Sequence, residues 1–316
     1  MQIIDLTPPP TIPRDGWDRP LVVPKQGGRP GALTRATTFI DCIEDKSALS
    51  DWKSRNTLIG AAKRPDLLDV VRQLDPQDPG GKRRLNQLAE QAQEIAGANV
   101  KREKGTHLHT LSEYVDRGEP LPAGTSVQDQ LDMAAYLTET SAFTVRAVER
   151  FVAVSELRTG GTFDRLLEYS GPGPDGEHIE GLFIGDLKTG TVEYSRLKMA
   201  MQLAVYSRGE FYDYTRFPVD PADRKAFAAW KKREVPAAEA AEAYAPLHGV
   251  SQKWGVIINL PAGSGECTLH WVDLEIGWAA ARLALEVRAT RSVKGAMLPW
   301  VSGVTESKAA QLPAAC

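Results

Sequence analysis

A chain of 316 residues, 42% hydrophobic and 25% charged, has the composition of a globular protein with one large core or two smaller ones. No apolar run approaches the roughly 20 residues that span a bilayer. The N-terminus also lacks the basic stretch, apolar region and small-residue cleavage site of a secretory signal, so a cytoplasmic protein with no membrane partner is expected. A net charge of −3 gives no global attraction to polyphosphate, and nucleic-acid binding would have to rest on local clusters. Lys101-Arg102-Glu103-Lys104, Arg196 with Lys198, and Lys231-Lys232-Arg233 are such clusters, and each also reads as a solvated helix face.

Residues 1–33 are rich in proline and glycine (TPPPTIPRDG, PKQGGRPG) and carry no sustained period, which predicts an extended arm. From Thr34 to about Ala96, apolar residues recur at three- and four-residue spacing in TTFIDCIEDKSALSDWKSRNTLIGAAK and RRLNQLAEQAQEIA, predicting a helical N-terminal region over 34–104. A further helix is expected from Gly105 through THLHTLSEYVDRG, ended by Gly118 and Pro120, and another long one over DQLDMAAYLTETSAFTVRAVERF. FVAVSEL, GTFDRLLEY and EGLFIGDLKT then read as three antiparallel strands separated by glycine-rich turns. SRLKMAMQLAVYSRGEF returns to helical spacing. KWGVIINLP and CTLHWVDLE read as two more strands, and IGWAAARLALEVRAT as the closing helix. The order of helices, three strands, helix, two strands and helix predicts an α/β core over 105–295 and a tail over 296–316.

Asp186 and Lys188 lie two apart on a predicted strand and so project from one face. There a carboxylate can hold a hard cation, and an amine can orient water and neutralise charge on a phosphate. Two common residue types at this spacing carry little information alone. Asp164, preceded by Gly160-Gly161-Thr162-Phe163, lies on the preceding strand, where a hairpin would set it beside Asp186. Gln202 and Tyr206 share a face of the following helix, as do His109 and Glu113 of an earlier one. Imidazole among carboxylates suits Mn²⁺ as well as carboxylates alone suit Mg²⁺. Trp254, Trp271 and Trp278 are expected to be core residues.

The ordered series Gly105-Thr106-x-x-His109, Glu156-x₇-Asp164, Asp186-x-Lys188-Thr189-Gly190 and Gln202-x-x-x-Tyr206 resembles the RecB-like branch of the PD-(D/E)XK nuclease superfamily. That branch includes CRISPR-associated and phage-encoded exonucleases. The resemblance covers roughly residues 105–210 and, more loosely, the last two strands and helix. It implies a restriction-endonuclease-like core, a central mixed five-strand sheet flanked by helices, with the N-terminal helices as an addition. It further implies that His109, Asp164, Asp186 and the backbone carbonyl of Leu187 bind Mg²⁺ or Mn²⁺, one or two ions. Lys188 would be the catalytic lysine and Gln202 with Tyr206 the pair that positions the site and the DNA strand. Glu156 occupies a position that is often acidic in such proteins.

The implied chemistry is hydrolysis of DNA phosphodiesters by metal-activated water, by an exonuclease serving recombination, repair or end processing. DNA is then the partner, together with a single-strand annealing or other recombination protein. Cys42, Cys267 and Cys316 are three where an iron–sulfur cluster needs four, so no cluster is expected. The absence of a G-x-x-x-x-G-K-[ST] loop likewise predicts no ATP-driven motor. The alternatives are a nuclease-fold module that binds DNA or a partner without cutting, and a structure-specific endonuclease.

Overall fold

A computed structural model describes residues 11–294 together with Met297 and Trp300. Apart from those two, the expected tail over 296–316, Cys316 included, lies outside the described residues. In chain order the elements are β1 (Leu21–Val22), β2 (Gly31–Ala32), β3 (Thr34–Arg35), α1 (Ala36–Ile40), α2 (Ser47–Lys63), α3 (Pro65–Val71), α4 (Pro79–Ile95), α5 (Val100–Asp116) and α6 (Val127–Thr140). Then come β4 (Thr144–Val154), β5 (Thr159–Pro172), β6 (His178–Lys188), α7 (Arg196–Ser207), β7 (Glu210–Tyr212), α8 (Arg224–Trp230) and α9 (Ala237–Ala241). The chain closes with β8 (Tyr244–Pro246), β9 (Trp254–Asn259), β10 (Thr268–Asp273) and α10 (Leu274–Thr290).

The molecule is α/β, with a mixed central sheet flanked by helices. The sheet order is β10-β9-β6-β5-β4-β7-β8, with β3 added parallel to the start of β5. It is therefore eight-stranded among the described residues, where five strands were expected. The three extra strands, β3, β7 and β8, are only two or three residues long, too short to show an alternating pattern. Strands β4, β5 and β6 are antiparallel, and β6 then pairs with β9 in parallel, which requires the crossover that α7 and the following segment provide.

The long helix expected over DQLDMAAYLTETSAFTVRAVERF is corrected. It ends at Thr140, and TVRAVERF forms the first part of β4. The Ser126 hydroxyl opens α6 by accepting the Asp129 N–H at 3.1 Å. After α6 the β-branched Thr144, Val145 and Val148 pair with β5, and the sheet wins over helical spacing. Helix α5 likewise begins at Val100, five residues before the expected start. Of the arm expected over 1–33, residues 1–10 lie outside the described residues, and the rest is not free. Ile12, Leu21, Val22 and Val23 are buried with Phe151, Tyr212, Phe217 and Trp230 at the β7 edge of the sheet.

One face of the sheet packs against α1, α7 and α10, through Phe39, Ile40, Leu203, Leu274 and Ala281. The other packs against α5 and α6, through Leu108, Leu111, Met133 and Tyr136 against Leu167, Leu187 and Ile258. Trp254 and Trp271 border that second core and Trp278 the first, as expected of core aromatics. Helices α2, α3 and α4 form a separate hairpin with its own small core of Leu67, Leu88 and Ala92. No helix among the described residues is long and apolar enough to cross a membrane.

Helices α7 and α10 approach so closely that a Cβ on Gly277 would sit 2.2 Å from the carbonyl oxygen of Ala200. Gly277→Ala must push the two helices apart, and the expected loss is about 1–3 kcal/mol, as for overpacked cores. Urea unfolding at 25 °C measures it, and a variant as stable as wild type would contradict the close packing.

Candidate metal and acid–base site

The site lies on the adjoining strands β4, β5 and β6, with one residue reaching in from α5. In β5 and β6 the register pairs Arg165 with Gly185, and one step further the same antiparallel register sets Asp164 opposite Asp186. In β4 and β5, Val148 pairs with Arg165 and Arg150 with Phe163, which leaves Glu149 opposite Asp164. Three acids thus stand side by side across three strands.

Glu149 is the residue that sequence reasoning missed. Its φ is +49°, a left-handed conformation for a residue with a Cβ inside a strand, and it costs on the order of 1 kcal/mol. The alternation of β4 changes phase there. Ala147 and Val152, one odd-numbered and one even, belong to the same core. A strict two-residue period therefore misplaces Glu149, and no signal in the sequence marks the kink. Glu156, the acidic residue expected from its spacing to Asp164, sits exposed on a 3₁₀ turn after β4, outside this cluster.

His109 comes from α5. A Cβ on Gly105 would lie 2.6 Å from the Thr189 hydroxyl, so the glycine lets α5 pass close to the end of β6. One turn later the His109 Nδ1 stands 3.5 Å from Asp164 Oδ2. One candidate ligand atom from each of His109, Glu149 and Asp164 lies within 4.8 Å of the others. The Leu187 N–H donates to Asp164 Oδ2 at 2.9 Å, which sets the Leu187 backbone against this cluster.

Asp186 is 2% exposed. Its Oδ1 accepts from Gln202 Nε2 at 3.0 Å, and Lys188 Nζ lies 2.5 Å from its Oδ2. That second oxygen has no hydrogen bond of acceptable angle. Tyr206, one turn beyond Gln202 on α7, is buried. Of the residues singled out from sequence, the fold gathers His109, Asp164, Asp186, Leu187, Lys188, Gln202 and Tyr206 into one region.

The electrostatics of this region follow from burial. Burial lifts the Glu149 carboxyl to about 8, and the negative charges of Asp164, Glu113 and Asp186 add to it. Burial and then Asp164 lift Asp186 to about 7, against the opposing pull of Lys188. Burial alone would lower the Lys188 ammonium, but Asp186 and Asp164 outweigh it and hold it above its ordinary value. Burial pulls the His109 imidazole down, helped by the charges of Arg165 and Lys188, which keeps the ring neutral. Burial and the acids push the Tyr206 phenol up, so it remains protonated.

Both Glu149 and Asp186 bind protons more tightly folded than unfolded. Their contribution to the stability of the metal-free protein is therefore full below about pH 4 and is lost as the pH rises through about 7 and 8. A cation bound to the ionised acids should reverse that loss. Thermal unfolding in chelator should show a midpoint falling from pH 5 to pH 8, and Mn²⁺ should restore it at pH 8 but not at pH 5. A midpoint that rose with pH in chelator would contradict the burial of these acids.

Behind the acids lies a second polar layer. Arg165, 0% exposed, forms an ion pair with Asp116 at the end of α5. It donates to the Ser112 hydroxyl at 2.6 Å and to the Asp164 carbonyl at 3.1 Å. Ser112 donates in turn to the His109 carbonyl at 2.8 Å, and Tyr136 of α6 donates to Asp116 at 2.7 Å. This layer ties the backbone of His109 to that of Asp164. It was invisible in the sequence because Arg165 reads as an ordinary charged strand residue.

The donor set of one imidazole nitrogen and carboxylate oxygens, beside a buried acid oxygen without an aligned donor, fits a borderline-to-hard divalent ion such as Mn²⁺ or Mg²⁺. No protein-family model matches the chain, and no curated protein matches it significantly.

Proposed function

We propose that this protein is a metal-dependent deoxyribonuclease of the PD-(D/E)XK type, with a RecB-like site and acting as an exonuclease. The observation that carries the reading is the meeting of His109, Glu149 and Asp164 around one point, with the Asp186–Lys188 pair on the adjoining strand. The antiparallel β4–β6 unit and the parallel β9 support the same fold assignment. His109, Glu149, Asp164 and the Leu187 carbonyl would hold the ion, with Asp186 beside them.

A divalent ion there would supply Lewis-acid polarisation of a phosphoryl oxygen and make water a stronger acid. The remaining work falls to the chain. Lys188, held as an ammonium by Asp186 and Asp164, neutralises charge that grows on the phosphoryl oxygens. Asp186, whose Oδ2 has no aligned donor, would accept the proton of the attacking water as general base. Gln202 holds that carboxylate in one orientation. Neutral His109 offers a lone pair, and the buried Tyr206 keeps one wall of the site protonated and closed.

The test is digestion of end-labelled linear duplex DNA, with closed circular DNA as the control, in Mg²⁺, Mn²⁺ or chelator. The expected result is metal-dependent cleavage of the linear substrate alone, and a loss on the order of 10²- to 10³-fold in Lys188→Ala. Binding without metal-dependent cleavage would replace the enzyme by a non-cutting module. Cleavage of the circle would replace the exonuclease by an endonuclease.

A further inference from the structure

The loop before β1 presents a large aromatic ring to water. Trp17 is 79% exposed, yet its turn is firmly held. The Asp15 carboxylate accepts the N–H groups of Trp17 and Arg19, each at 3.0 Å, and Arg19 Nε at 2.8 Å. The Arg19 guanidinium lies over the indole, 4.9 Å from its centroid, and Asp18 takes the left-handed φ of 60° that the turn requires. An exposed tryptophan whose turn is fixed by these contacts, and one face of whose ring is covered by a cation, is a preformed stacking platform.

The next residue, Asp18, lines a cavity of about 240 Å³ together with Arg14, Arg35, Gly161, Thr162 and Tyr206. Both arginines turn to Asp18. Arg14 Nη1 donates to its carbonyl at 2.9 Å and Nε stands 3.6 Å from its carboxylate, with which Arg35 also pairs. Two guanidinium groups therefore share one carboxylate, whose side chain is 59% exposed. The cavity wall is kept flat at Gly161, where a Cβ would come within 2.8 Å of the Tyr206 ring. Tyr206 forms the wall on one side, and Gln202, one turn away on the same helix, holds Asp186. The arginine cavity and the candidate catalytic site are thus neighbours across one tyrosine.

We infer that this cavity is a strand-anchoring subsite. Arg14 and Arg35 take a phosphate group of a DNA strand in place of the Asp18 carboxylate, while the adjoining base stacks on Trp17. Guanidinium groups suit phosphate by charge and by their planar donor fork, and stacking on tryptophan accepts any base. Asp18 is the internal counter-ion that the phosphate displaces. Anchoring here sets which phosphodiester reaches Asp186 and Lys188. The inference rests on the nuclease reading for the polymer and for the place of cleavage, while the phosphate and base contacts are independent of it.

The test is binding of a fluorescent thymidine oligonucleotide in chelator, by anisotropy across a salt series, so that cleavage plays no part. The oligonucleotide carries a 5′-phosphate, a 3′-phosphate or neither. Arg35→Gln should weaken binding roughly tenfold and reduce the salt slope by about one, as expected for one lost phosphate contact. Trp17→Ala should weaken it by roughly five- to tenfold, and Trp17→Phe should recover most of that. An oligonucleotide abasic throughout should not distinguish Trp17→Ala from wild type, and Asp18→Asn should bind more tightly. A preference for one phosphorylated end that Arg35→Gln abolishes would assign the phosphate as terminal, and equal affinity for all three would assign it as internal. Unchanged affinity and slope in both Arg14→Gln and Arg35→Gln, or no binding by wild type, would overturn the inference. Binding that depends on these residues in a protein that never cuts would leave the subsite standing and remove the nuclease reading.

Discussion

Asparagine at position 164 is expected to lower Mn²⁺-dependent cleavage by a factor on the order of 10³ or more, while urea unfolding stays within about 1 kcal/mol of wild type. Asp164 is the acid common to both parts of the site. It lies beside His109 and Glu149 in the proposed ligand cluster, and its charge acts on both Asp186 and Lys188. Removing one of several preorganised electrostatic groups typically costs 10²- to 10³-fold. Here the ligand group and the fixed charge of Lys188 are weakened together. The fold should survive, because an asparagine oxygen can still accept the Leu187 N–H that Asp164 now accepts. Loss of Mn²⁺-dependent thermal stabilisation in the same variant separates a lost ligand from a misplaced substrate. Turnover within tenfold of wild type would remove Asp164 from the mechanism.

The largest expected effect on stability is at Arg165. Arg165→Met removes the cation that faces buried Asp116 and leaves Ser112 and the Asp164 carbonyl without their donor. Breaking a buried ion pair from one side typically costs about 3–5 kcal/mol, because the remaining charge stays out of water. Burial already raises the Asp116 carboxyl, and without the guanidinium it should rise further. Urea unfolding at pH 7 should therefore show a loss of about 3–5 kcal/mol that is smaller at pH 5. Arg165→Met combined with Asp116→Asn should recover part of it, since the stranded charge is gone. A single variant as stable as wild type would mean that the pair contributes nothing to the fold.

Several parts of the architecture were legible in the sequence because punctuation marks them. Glycine-rich turns such as SGPGPDGEH bound β5 and β6, and apolar spacing marks α7 and α10. That the two-residue spacing of Asp186 and Lys188 puts both on one face also follows from strand geometry alone. The first half of strand β4 was hidden because TVRAVERF continues the helical spacing of α6, with no proline or glycine between them, whereas FVAV at its end was read as strand. Only pairing with β5 decides its state. Glu149 was hidden twice, by the misread strand and by a left-handed residue that breaks the alternation. Glu156 was chosen by spacing along the chain, but the chain turns before reaching it. The edge strands and the packed N-terminal segment depend on tertiary contacts that local patterns do not encode.

The Arg165 layer also decides which part of the molecule opens first. Amide hydrogens exchange with solvent through cooperative openings that follow contiguous structural units. The hairpin of α2, α3 and α4 is held by a small core of its own, so it can open while the sheet stays closed. Helix α5 cannot, because Ser112 and Asp116 are held through Arg165 to the centre of β5. The backbone around His109 should therefore exchange as slowly as the sheet. The candidate ligand cluster should then be carried by the last unit to melt, with its spacing kept through fluctuations that unravel the N-terminal helices.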